Sequence, residues 1–269
     1  MSVPPALDEA PWAAFRRQGT PTGLLDLDSV TQGLLASTLW VITGTPGAGR
    51  SMLAAQLARR AALPGGATTR LVSGREDRGL VLSYWLAGEA RVPLHHLLGG
   101  NLGPEEATRL EGAQRRLEAA PLAVWTEADD KWVDEGCHST ASFRHQVGSP
   151  RQRARVIVAD DVDIMLDATL PEMARSLRDW TRRADFTLIV TVPDDQVLDD
   201  GRLLPCVARE ADVVLRLSPE GLFYGDPGRE GEADLDVLRN RYGPMARLNL
   251  EFQGFYATFR GRQRGSSAG

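Results

Sequence analysis

A chain of 269 residues, 42% hydrophobic and 25% charged, is long enough to bury one large α/β core without disulfide staples. Its net charge of −5 excludes a protein that holds nucleic acid by overall positive charge and leaves only a local basic channel open. Two cysteines, Cys137 and Cys206, exclude a disulfide framework, and no apolar run approaches the ~20 residues of a membrane-spanning helix.

Taken from the N-terminus, residues 1–20 are rich in Pro and Ala and read as a flexible lead-in. MSVPPALDEAPW has neither the basic start nor the apolar stretch of a secretory signal, so the expected compartment is the cytoplasm. A folded domain is expected over 21–260, with 261–269 as a disordered tail. LWVITG (39–44) predicts a strand and Ser51 to Leu63 a helix; GLVLSYWL (79–86) predicts a second strand, followed by a helix over Pro104 to Ala119. RVIVAD (155–160) predicts the next strand, and Thr169 to Ala184 a helix that starts on a possible Thr169–Glu172 capping box with Pro171 in its first turn. FTLIVTV (186–192) and ADVVLRL (211–217) add two strands. LDVLRNR (235–241) and ARLNLEFQGFYATF (246–259) follow in hairpin order around Gln253-Gly254. The alternation implies an α/β fold with a mainly parallel central sheet, helices on its faces and a C-terminal antiparallel hairpin.

Between the first strand and its helix lies Gly44-Thr45-Pro46-Gly47-Ala48-Gly49-Arg50-Ser51. This fits GxxxxGK[ST], with Arg50 where lysine is usual. Glycines at that spacing let successive backbone N–H groups close around a phosphate, the helix adds its positive end, and Ser51 is placed to ligate Mg²⁺. A glycine-rich turn that binds nothing is the plainer alternative; the full spacing and the final hydroxyl favour the phosphate loop. Lys131 is the only lysine in the chain, so arginine at this position matches the composition. A planar fork nonetheless cannot simply replace a compact ammonium between phosphates.

The strand Val156-Ile157-Val158-Ala159 ends in Asp160-Asp161, where a carboxylate of Walker B type holds the water shell of Mg²⁺. Asp160 is the metal-side candidate, and Asp161 or Asp163 is placed to orient water.

Three blocks together resemble the C-terminal ATPase domain of the DnaB-type replicative helicases, RecA-like hexameric motors. They are PTGLLDLDSVTQGL (21–34), ADDVDIM (159–165), and ADVVLRL (211–217) followed by VLRNRYGPMARLNLEFQGFYATF (237–259). The resemblance implies a RecA-like P-loop fold that binds ATP with Mg²⁺, acts on single-stranded DNA and assembles as a homo-oligomeric ring. Arg239 and Arg241 match a basic-x-Arg pair that reaches a neighbour's γ-phosphate, with Arg241 as the arginine finger in trans.

The chain also departs from that family. Its catalytic glutamate, at the end of the second strand, falls on Ala87, with Glu89 two residues on. Its glutamine beyond Walker B falls on Asp163, and its Ser-Gln sensor on Thr191-Val192, with Gln196 nearby. The segment 193–210, expected to be long and basic, carries Asp194, Asp195, Asp199 and Asp200 against Arg202 and Arg209, which would repel a phosphate backbone. Only about 20 residues precede the match, so no N-terminal helical domain is expected. Among other features, Arg144, His145, Arg151, Arg153 and Arg155 read as a solvated basic face. Cys137, His138 and His145 fall short of a zinc pattern, His95-His96 belong to a loop or helix start, and Trp85 is expected beside the nucleotide-facing strand end. Three readings follow: a DnaB-like ATPase coupled to DNA, a nucleotide-binding pseudo-helicase serving as a regulatory or scaffolding subunit, and a clock- or repair-type RecA-like ATPase.

Overall fold

The computed structural model describes residues 19–126, 154–166, 169–200, 202–218, 229 and 231–261. The lead-in to residue 18, the tail from 262, and Cys137, His138, Arg144, His145, Arg151 and Arg153 lie outside the described residues.

Everything is organised around β1 (Leu39–Gly44), whose six residues are all buried, and which follows the short helix α1 (Leu25–Thr31). It runs parallel to β5 (Thr187–Thr191) on one side and to β8 (Val213–Ser218) on the other. β4 (Val156–Asp160), β2 (Thr69–Ser73) and β3 (Leu122–Thr126) extend the parallel part beyond β5. β9 (Glu232–Asn240), β10 (Ala246–Gln253) and β11 (Thr258–Gly261) extend it antiparallel beyond β8. The nine-stranded order is β11-β10-β9-β8-β1-β5-β4-β2-β3. A two-stranded hairpin of β6 (Leu198–Asp199) and β7 (Arg202–Leu203) stands apart from this sheet.

Strand parity divides the apolar side chains into two cores. Trp40, Ile42, Val156, Val158 and Ile189 join the buried faces of α2 (Arg50–Ala62) and α3 (Arg78–Ala90), including Leu53, Leu57, Val81 and Trp85. Leu39, Val41, Ile157, Leu188 and Val190 face the other way, onto Met173, Leu177 and Trp180 of α7 (Leu170–Ala184). Full burial of each such Leu is worth about 1.5–3 kcal/mol. The start of α7 is capped as its sequence implies: the Glu172 carboxylate accepts from the Thr169 hydroxyl at 2.7 Å and from its N–H at 3.3 Å.

One expected strand is a helix. Residues 79–86 lie inside α3, whose N-cap Asp77 accepts the Leu80 N–H at 2.9 Å. Its buried positions Val81, Tyr84 and Trp85 follow helical spacing. The second strand is instead β2, immediately upstream. α5 (Pro104–Ala119) then packs on α3, joined to it through α4 (Leu94–Gly99), whose first turn carries His95-His96.

The closing strands are locked to α2 by one buried glutamine. Gln56 donates to the Phe259 carbonyl at 2.9 Å and accepts its N–H at 2.6 Å. β11 is thereby held against the helix that begins at the glycine-rich loop.

Candidate functional site

β1 ends at Gly44 and α2 begins at Arg50, so the loop between them is a strand-to-helix turn at the carboxyl edge of the parallel strands. That edge is where open α/β sheets place ligands. Gly47 has φ +81° and Gly49 φ +90°, a region that L side chains rarely enter. A Cβ on Gly49 would also meet the Phe259 ring at 2.9 Å, so the closing strand braces the loop. Within the loop the Ala48 N–H returns to the Thr45 carbonyl at 3.1 Å. Among the described residues, the N–H groups of Gly47, Gly49, Arg50 and Ser51 have no hydrogen-bond acceptor. Unpaired donors at a helix N-terminus, beside a turn of left-handed glycines, form an anion cradle.

Parity sets what faces this cradle. Ser73, Asp160 and Thr191 share the α2 side of their strands, at the same edge. Thr191 donates its hydroxyl to Asp160 at 2.7 Å and accepts the Asp161 N–H at 2.7 Å; Ser51 also hydrogen-bonds the Asp160 carboxylate. Asp160 is 3% exposed. Burial pushes its carboxyl up to about 6, with Asp161 and Glu76 adding repulsion, against the hydrogen bonds from Thr191 and Ser51 that favour the charged form. A hydroxyl and a carboxylate are hard oxygen donors of the kind Mg²⁺ takes alongside phosphate oxygens and water.

Asp161 holds the left-handed conformation, φ 54° and ψ 53°, uncommon for a residue with a side chain. Its carboxylate collects two arginines: Arg50 Nη2 at 3.5 Å and Arg75 Nε at 3.0 Å. Arg50 Nη1 is buried without a partner among the described residues. The loop arginine therefore leans on the residue that follows β4, and its fork is only partly satisfied.

Residues 19–192 match the family described as DnaB-like helicase C terminal domain. The chain belongs to that family. It is 27% identical over 90% of its length to the replicative DNA helicase DnaB of Leifsonia xyli, and 26% identical to that of Treponema pallidum. In both cases it spans about half of the relative, 55% and 56%. Two solved structures share the fold at 16% identity. One is a DnaB-like replicative helicase described with its interactions with primase (TM-score 0.77, covering 93% of this chain and 64% of that one), the other a structure described as an ATPase domain (0.75, 96% and 99%).

In this DnaB-like domain the remaining candidates fall into two groups. Asp163 lies near the site in α6 (Val162–Met165), and one of its carboxylate oxygens accepts from Gln196 at 2.9 Å. Asp194, in α8 (Asp194–Val197), is turned inward: it accepts from Thr43 at 2.8 Å and from Arg216 at 3.0 Å. Part of the negative charge of 193–210 thus braces β1 and β8.

Arg239 and Arg241 sit at the other end of the sheet. Val214 pairs with Arg239 and Val213 with Asn240, whereas Gly44 pairs with Leu217. Arg241 follows β9 and contacts Asp212 at 2.8 Å through Nε and the Arg209 carbonyl at 2.9 Å through Nη2. Five residues of strand, about 16 Å, separate the level of Leu39, whose carbonyl accepts the Asp212 N–H, from the chain's own glycine-rich loop.

The helical path of α3 overturns three expectations. Ala87 and Glu89 lie on α3, not at a strand end; Glu89 binds Arg59 at 2.6 Å and Arg116 at 2.9 Å, an internal ion network. Trp85 is a core residue, its indole N–H donating to the Ala55 carbonyl at 2.9 Å. The second strand ends at Ser73 and runs into Gly74-Arg75-Glu76. Glu76 is half-buried there, and its carboxyl is raised by burial, then by Asp161 and Asp77. The signal for it is an acidic pair, Glu76-Asp77, just beyond a short strand and its Gly74-Arg75 turn, hidden once 79–86 is read as the strand.

Proposed function

We propose that this DnaB-like domain binds ATP with Mg²⁺ at Gly44–Ser51 and couples its hydrolysis to single-stranded DNA, as part of a homo-oligomeric ring in the cytoplasm. The observation that carries this is the meeting of an unpaired amide cradle with a buried carboxylate held by Ser51 and Thr191, all at one sheet edge. In this reading the amides of residues 47–51 hold the terminal phosphates, while Ser51 and Asp160 hold the metal. When bound, Mg²⁺ neutralises charge that develops on the phosphate oxygens. Glu76 replaces Ala87 as the group that takes the proton from water, since its raised carboxyl is a stronger base than a solvated glutamate. Asp161 and Asp163 orient that water through their fixed positions beside Thr191 and Gln196.

Arg239 and Arg241 lie too far along the sheet to serve their own loop, so in this reading they serve a neighbour's, with Arg241 as the finger. The test is phosphate release stimulated by single-stranded DNA. Arg241→Ala should lower it ~10³-fold with nucleotide binding retained. Mixing Arg241→Ala subunits with Ser51→Ala subunits should restore part of the activity, because some interfaces then pair an intact loop with an intact finger. No recovery on mixing would defeat the trans assignment.

A second reading is a catalytically weakened, nucleotide-binding regulatory or scaffolding subunit. Arg50 favours it, since its fork is drawn to Asp161 rather than held toward the cradle. Tight ATP binding with no DNA-stimulated phosphate release would select this reading over the motor.

A further inference from the structure

We infer that Arg75 is a second phosphate-recognising residue, one that makes the site discriminate nucleoside triphosphate from diphosphate from within the same subunit. The inference rests on the nucleotide reading of the Gly44–Ser51 loop and adds a residue to it. β2 lies directly beside the Walker B strand, Ser73 in register with Asp160, and the Gly74 N–H donates to the Asp160 carbonyl at 3.0 Å. This fixes the start of Arg75 close to the metal-side carboxylate. Its side chain then crosses to Asp161, with Nε 3.0 Å from one carboxylate oxygen while Arg50 approaches the other.

The two arginines differ in what they can release. Arg50 is 14% exposed and Arg75 63%. Among the described residues Arg75 makes this one contact through Nε, which leaves the two terminal nitrogens of its fork for a ligand. An ion pair with so exposed a partner holds its arginine weakly. A phosphate offers a charge-assisted, bidentate partner that matches the guanidinium fork.

Electrostatics gives the exchange a direction. Asp160, Asp161, Glu76 and Asp77 cluster at this edge, as the mutual repulsion acting on Glu76 and Asp160 shows. A triphosphate entering there needs cations, and the only lysine of the chain is Lys131. Arg50 alone is largely neutralised by Asp161. With Arg75 turned from Asp161 to the outermost phosphate, Asp161 keeps Arg50 as its partner. A diphosphate, which ends short of that position, gains nothing from Arg75.

The experiment measures binding of fluorescent ATP and ADP analogues with Mg²⁺ to the unmutated domain, Arg75→Ala and Arg75→Lys. Because Arg75 is exposed, both variants should keep the wild-type circular dichroism and melting profile. The expected result is about tenfold weaker ATP binding in Arg75→Ala, ADP binding unchanged within about twofold, and an intermediate loss in Arg75→Lys, which keeps charge but not the fork. An unchanged ATP-to-ADP ratio in Arg75→Ala would overturn the inference while leaving the nucleotide site standing. Failure of the unmutated protein to bind either analogue would overturn the site itself.

Discussion

Two buried aspartates each gather a pair of arginines, at opposite ends of one sheet, and they differ in nearly every other respect. Asp212, at the start of β8, is fully buried; it accepts the Leu39 N–H at 2.9 Å and contacts Arg178 and Arg241. Arg178 is itself buried and anchored to the Ser37 carbonyl at 3.2 Å. Asp161 sits in a left-handed conformation, holds one arginine at 3.5 Å and shares the other with solvent. Asp212 keeps the buried Arg178 as a partner fixed by the fold, with the more exposed Arg241 beside it; Asp161 has in Arg75, 63% exposed, a partner that can leave. A buried ion pair of the first kind specifies structure, whereas a left-handed aspartate and raised carboxyls gather at the second, as they do at functional sites.

The sharpest way to break this contrast is to remove each carboxylate in turn. Asp212→Ala leaves the buried Arg178 guanidinium without its counter-charge and should cost about 3–5 kcal/mol in urea unfolding. Asp161→Asn, which keeps an acceptor oxygen and whose partner Arg75 reaches water, should cost on the order of 1 kcal/mol. Equal losses would mean that both ends are structural.

Asp160 should respond with the opposite sign. Its carboxyl lies near 6 in the fold against 3.8 as the ordinary value. Between those values the folded chain holds a proton that the unfolded chain has released, so stability without nucleotide falls as pH rises through that window. Above it the full cost of a buried charge remains. Asp160→Asn should therefore stabilise the nucleotide-free protein by about 3 kcal/mol at pH 7.5 and by little at pH 4, while abolishing Mg²⁺-dependent nucleotide binding. A stabilisation independent of pH would show that the gain comes from packing and not from charge.

Legibility in the sequence followed the range of the interaction. The runs 39–44, 155–160, 186–192 and 211–217 form the strands 39–44, 156–160, 187–191 and 213–218 because both faces of each are covered, which leaves a continuous apolar signature. The glycine-rich turn at 44–51 was legible as a strand-to-helix junction for the same local reason, and Asp160 as a carboxylate at a strand end. TRLVS was not legible: Arg70 makes it look polar, yet the Arg70 guanidinium lies 5.0 Å from the Trp125 ring centre, so the position is buried. The bridge from Arg75 to Asp161 spans 86 positions of sequence and exists only because β2 lies beside β4. No local pattern encodes it.

The residue on which the misread strand turned supplies the smallest and most specific test. A tryptophan at the end of a nucleotide-facing strand would stack on or shield the ligand, and its loss would weaken binding. Trp85 instead closes the gap between α3 and α2, its ring buried and its N–H spent on the Ala55 carbonyl. Trp85→Phe keeps an aromatic ring in that gap and gives up one buried hydrogen bond, a loss of about 1 kcal/mol. Nucleotide affinity should stay within about twofold, because α3 contributes packing, and not ligand contacts, at this position. A loss of affinity without loss of stability would return Trp85 to the site and place the cradle closer to α3 than the hydrogen bonds imply.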